Sequence, residues 1–170
     1  MLAAMPSADL TDYFQLGPAL QDYLRDPSRG FGLVNVDDLA PLADALEGAK
    51  PAEIATRLSA LAPRCPVAFV GYDTDLTQWD SEDGGHQLFQ RWLVVLVVRN
   101  VADTTRGSAV LAEAGPLLMQ LIGGLSGWKP DIKCLGALRH VAGPRPVFGT
   151  GVGLFPIALL APLYMTGAHP

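Results

Sequence analysis

Apolar positions recur at two periods along this chain, and the switches between them predict its elements. Leu10, Tyr13, Phe14, Gly17, Leu20 and Leu24 share one face at helical spacing, which predicts an amphipathic helix over Asp9 to Arg25. Ser7 stands where an N-cap would, and Pro18 inside the run predicts a kink or a split. Asp26-Pro27-Ser28-Arg29-Gly30 stops this helix in a turn. Leu33 to Val36 reads as a short strand. Asp37 to Lys50 is ambiguous, a loop with one helical turn around Leu42 to Leu46. Pro51 suits the first position of a helix to Leu61, with Ile54, Leu58 and Leu61 on one face.

From Val67 the pattern changes. Val67 to Tyr72, and the core Trp92 to Val98 of a strand over Gln87 to Arg99, are apolar on odd and even positions alike. A strand of that kind must be covered on both faces, which places Trp92 to Val98 at the centre of a layered domain. The two strands are joined by a loop and are expected to be antiparallel. Val110, Leu111, Ala114, Leu117, Leu118, Leu121, Ile122 and Leu125 then form a helical stripe interrupted by Pro116, ended by Gly127, Trp128 and Pro130. Ile132 to Val141 reads as a weak strand. Val147 to Tyr164 reads as a strand pair or one bent strand, expected at an edge or bulged because it contains Pro156 and Pro162. The sum is an α/β (α+β) domain spanning residues 1–170, with one mixed, mostly antiparallel sheet and helices packed on it.

Composition narrows the function classes. The chain is 49% hydrophobic and only 17% charged, against roughly 25% charged in an average protein. Its surface is therefore sparsely charged, or part of it is hidden against another chain. No apolar run is long and unbroken enough to span a bilayer, and the first ten residues lack the basic start of a signal peptide. The net charge of −5 and the absence of any Lys/Arg run argue against nucleic-acid binding. Cys65 and Cys134 are expected to be buried free thiols in a reducing cytoplasm.

The search for chemistry returns little. His86, His140 and His169 have no Cys or carboxylate at ligand spacing, and a Cys134–His140 pair would have to assemble in space. Gly149-Thr150-Gly151-Val152-Gly153 resembles a phosphate loop but lacks the Lys-Ser/Thr and leads into a Pro-containing strand instead of a helix N-terminus. Asp73 and Asp75 start like a calcium loop, but Leu76 to Asp80 lack the acceptors and the sixth-position glycine. No catalytic residue, cofactor or metal is expected. What remains is the polar segment Asp73 to Gly85. It carries Asp73, Asp75, Asp80, Glu82 and Asp83 around Trp79, either an aromatic anchor for a partner or a residue folded back on the sheet.

Several landmarks occur in order. They are Pro66-Val67-Ala68-Phe69-Val70-Gly71-Tyr72, then Gln90 to Asn100 around Trp92-Leu93-Val94-Val95-Leu96-Val97-Val98. Ala112 to Leu125 with Gly127-Trp128-Lys129-Pro130 follows, and Gly151-Val152-Gly153-Leu154-Phe155-Pro156-Ile157 closes the set. Together they resemble the tail terminator proteins of Mu-like and related long-tailed bacteriophages and prophages. The first sixty residues carry none of these landmarks. The resemblance implies a virion protein assembled in the bacterial cytoplasm, not an enzyme. It implies a ring, usually a homohexamer, at the head-proximal end of the tail. Such a ring caps the tail tube protein, stops its polymerisation and meets the head–tail connector protein, while DNA passes the lumen without specific contact. A different tail-tube or connector component stands as the alternative, as does a small ligand-binding domain or enzyme whose site assembles only in space.

Overall fold

The computed structural model describes residues 12–78, 86–99, 108–149 and 151–165. In chain order the elements are α1 (Leu16–Arg25), β1 (Asn35–Asp38), α2 (Ala40–Leu46), α3 (Pro51–Ser59), β2 (Val67–Gln78), β3 (His86–Arg99), α4 (Ser108–Leu125), β4 (Arg139–Val141), β5 (Val147–Gly149) and β6 (Val152–Met165). They build a mixed, mostly antiparallel α+β fold. Its sheet runs β1-β2-β3-β6-β4, with β5 also paired to β6. Only β1 is parallel to its neighbour, joined to Val67–Val70 of β2.

The two-faced apolar run on β3 has the expected cause: it lies in mid-sheet and is covered on both sides. Trp92, Val94, Leu96 and Val98 face a core closed by Leu16, Leu20 and Leu24 of α1 and by Ala114, Leu121 and Leu125 of α4. Val95 and Val97 face a second core with Phe69 and Leu154, closed by Leu42 and Leu46 of α2 and by Ile54 and Leu58 of α3. The chain is thus three layers deep, with a helix pair on each face of the sheet.

Several local expectations change. Helix α1 starts at Leu16, not Asp9; residues 12–15 form a turn in which Gln15 N–H donates to the Asp12 carbonyl at 3.1 Å. Pro18 therefore lies in the first turn, where its missing N–H has no intrahelical acceptor to lose, and it neither kinks nor splits the helix. Ser7, Asp9 and Leu10 lie outside the described residues, as does the link 100–107. Helix α4 runs across Pro116 in one stretch. Strand β1 is shifted two residues from the reading, because Gly30 and Gly32 hold φ of +75° and +66° and keep the chain turning before Asn35. The strand expected over Ile132 to Val141 shrinks to β4. Upstream, Gly127 N–H donates to the Leu138 carbonyl and Leu138 N–H to the Trp128 carbonyl, so that stretch bonds the turn after α4.

The largest correction concerns β6. It was expected at an edge or bulged because of its prolines, yet it pairs with β3 without a break from Val152 to Met165. The Pro162 carbonyl accepts from Gly136 N–H on the side away from β3 at 2.8 Å. In an antiparallel ladder alternate residues turn their polar groups to opposite sides. Pro156 and Pro162 share that outward parity, so neither is asked to donate to β3. Pro156 also falls between the residues that pair with β5 and those that pair with β4. The glycine run before it is a hairpin link: Gly149 pairs with Val152, and Gly151 takes φ of +82°.

Candidate functional site

The acidic segment singled out in the sequence begins on a strand, not in a loop. Strand β2 continues through Asp73 and Asp75 to Gln78, with its register against β3 shifted between Tyr72 and Thr74. That bulge separates the two carboxylates. Asp73 forms an ion pair with Arg91, Oδ2 to Nε 3.3 Å, and Arg91 Nη2 donates to the Ala142 carbonyl at 3.3 Å. The close approach to Asp73 is not aligned as a hydrogen bond and leaves Nε of Arg91 buried without one. Asp75 lies opposite Gln90 and accepts a hydrogen bond from the Tyr13 hydroxyl at 2.6 Å. Trp79, Asp80, Glu82 and Asp83 lie outside the described residues. Asp73 and Asp75 are therefore the two site candidates whose surroundings are known, and they serve different neighbours.

Around Asp75 the structure assembles a cluster that the sequence did not announce. Gln90 is the buried polar side chain of the described core, 1% exposed. Its Nε2 donates to the Tyr13 carbonyl at 2.7 Å, and its Oε1 accepts from Trp92 Nε1 at 3.2 Å. Tyr13, Phe14, Tyr72 and Trp92 stack edge to face in a chain, with centroids 5.1–6.4 Å apart. Gly17 lets α1 close on this group, since a Cβ there would lie 3.0 Å from the Trp92 ring. The segment before α1 is thus pinned to the middle of the β2–β3 pair. The strand period does place Gln90 and Trp92 on one face, but an uncharged glutamine between Phe89 and Arg91 carries no sign of its partner across the fold.

Burial, then the hydrogen bond to Asp75, pushes the Tyr72 phenol up to about 12, and the same two causes raise Tyr13. Both phenols stay protonated at neutral pH, and Tyr13 acts as a donor to Asp75. Replacing Gln90 with leucine is expected to strand the buried Trp92 N–H. One unsatisfied buried group costs about 1–3 kcal/mol. A thermal melt should show that loss, and Trp fluorescence should shift as water reaches the ring; an unchanged melt would mean the Gln90 bridge stabilises nothing.

Beside the cluster lies an apolar groove of about 380 Å³ lined by Phe14, Pro18, Pro41, Gly71, Tyr72 and Trp92. Gly71 is tight against the start of α2: a Cβ there would come within 2.6 Å of Leu39. The groove brings no nucleophile and base together. Among the described residues no three His, Cys, Asp or Glu side chains are placed to hold a metal ion. His140 is exposed and makes no hydrogen bond with Cys134. The expectation of two buried thiols is corrected as well: both cysteines are free, but Cys65 is half-buried and Cys134 exposed, at a left-handed φ of +70° in a surface turn. No helix of the described residues is long and apolar enough to cross a membrane.

A search of curated proteins found no match. Among solved structures, a chain in one titled "Virion of native gene transfer agent (GTA) particle" aligns with 73% of this chain and 92% of its own, at 12% identity and a TM-score of 0.35. The family model described as phage tail terminator protein matches residues 37–161. The match takes in the end of β1 and all of α2 and α3, which held none of the landmarks read from the sequence.

Proposed function

This chain belongs to the phage tail terminator protein family, which makes it a structural component of the virion tail and not an enzyme, and from that premise we propose that it closes into a ring, most simply a hexamer. The ring caps the head-proximal end of the tail, stops addition of tube protein and offers its other face to the head–tail connector. DNA passes through its lumen without specific contact, in keeping with a net charge of −5.

Family membership carries this reading, and the surface supports it. Leu111, Met119, Val147, Phe148 and Tyr164 are each half or more exposed. In a chain with only 17% charged residues, these side chains have room to be covered by other subunits. The segment from Asp73 to Gly85 is the proposed tube or connector contact, with Trp79 as anchor and Asp80, Glu82 and Asp83 as its acidic rim.

Light scattering and electron microscopy of tails assembled with purified protein test both parts. The expected result is a closed ring that does not grow into filaments, and tails of uniform length. Filaments formed by this protein alone would identify it as a tube component instead. Trp79→Ala is expected to weaken capping while leaving the ring intact. Neutralising Asp80, Glu82 and Asp83 is expected to reduce the salt dependence of capping more than its strength, since exposed charges are screened over about 8 Å at physiological ionic strength. Normal tails with the Trp79→Ala protein would remove this segment from the mechanism.

A further inference from the structure

Among the described residues two opposite edges of the sheet lack strand neighbours, one acidic and one basic, and we propose that they pair between copies of this chain. The outer edge of β2 beyond Val70 in one copy docks on the Arg139–Gly149 edge of the next. The inference rests on the ring reading and names its subunit contact.

The first edge follows from the mismatch between β1 and β2. Strand β1 covers only Val67–Val70, and Leu39 N–H closes that ladder on the Val70 carbonyl at 2.8 Å. Beyond it β2 runs on to Gln78 with β3 on one side and no strand on the other among the described residues. The Val70 carbonyl faces away from β3, and the bulge after Tyr72 shifts the parity by one residue. Asp75 and Thr77 are the residues that then turn N–H and C=O outward. Such an uncovered row is a template for another extended chain. Strand β2 carries Asp73 and Asp75 and no basic residue, and Leu76 beside them is 45% exposed.

The second edge lies at the far end of the same sheet. Arg139–Gly149 contains Arg139, His140 and Arg145 and no carboxylate. Residues 139, 140 and 142–148 are exposed, with Val147 at 52% and Phe148 at 51%. Neither Arg139 nor Arg145 has an ion-pair partner among the described residues. Pro144 and Pro146 remove donors between β4 and β5, so backbone pairing is confined to those two short strands and side-chain charge selects the register.

Charge also decides the symmetry of the contact. A two-fold dimer joins like edge to like edge, which would set Asp73 and Asp75 against their own copies, or the arginines against theirs. Joining unlike edges is a head-to-tail contact that passes from subunit to subunit and closes when the rotation allows. The second copy is therefore the occupant that this charge pattern fits.

The test is light scattering on the full chain in four samples: the natural protein, Arg139→Glu with Arg145→Glu, Asp73→Lys with Asp75→Lys, and an equimolar mixture of the two variants. The natural protein is expected at ring mass and each variant alone at monomer mass. The mixture should return to ring mass, because the two reversed edges complement each other. A ring formed by the arginine variant would overturn the edge assignment and leave the ring reading standing. A monomeric natural protein would overturn the ring reading and this inference with it. Asp73 and Asp75 also bond within the subunit, so the melting temperature of their variant is measured. If it unfolds, the arginine variant decides alone.

Discussion

Val95→Asp is expected to leave little or no folded protein. Val95 is 7% exposed and sits in mid-sheet between Phe69 of β2 and Pro156 of β6. Its side chain points into the core closed by α2 and α3, where it packs among Val67, Phe69, Val97 and Leu154. Burying an unpaired charge there costs several kcal/mol, or forces the group to protonate at a similar cost. Domains hold only about 5–15 kcal/mol in total, so one such change consumes much of the margin. The measurements are the soluble fraction on expression and a thermal melt followed by circular dichroism. A soluble variant melting with the natural protein would show that β3 is not the central strand.

Leu121→Ala should be the next most damaging change, and its comparison with Leu111→Ala is the sharper test. Both leucines belong to the same apolar stripe on α4. Leu121 is fully buried against the sheet, whereas Leu111 is 52% exposed. Emptying a buried leucine site costs about 2–5 kcal/mol through lost transfer energy and the cavity left behind. For a domain of this size each kcal/mol lowers the melting temperature by roughly 2–4 °C. Leu111→Ala should stay within about 0.5 kcal/mol of the natural protein, as exposed substitutions do. Equal losses at the two positions would mean that α4 does not pack as described. If Leu111 is covered in the assembled ring, its substitution should appear in ring stability and not in the monomer's melt.

The sequence by itself determined the layering and most of the element order, α2 excepted. The unbroken apolar run at Trp92–Val98 could be satisfied only by cover on both faces, and the helical stripes of α1, α3 and α4 supplied candidates for that cover. Turn chemistry was equally legible: Asp26 caps the turn after α1 through the Ser28 N–H, and Gly30 takes the left-handed conformation that ends it. These features are local, fixed by the period of side chains or the φ range of single residues. Tertiary structure alone decided three things. It set Pro156 and Pro162 on the side of β6 that owes no hydrogen bond to β3, a matter of pairing parity that no local pattern carries. It ran β2 on past Tyr72 through a bulge, giving Asp73 to Arg91 and Asp75 to Tyr13. It also joined Tyr13 to Gln90, 77 positions away, whose amide at the same time holds the Trp92 N–H on its own strand. Period reports which face a residue occupies; only the packed chain reports what stands opposite that face.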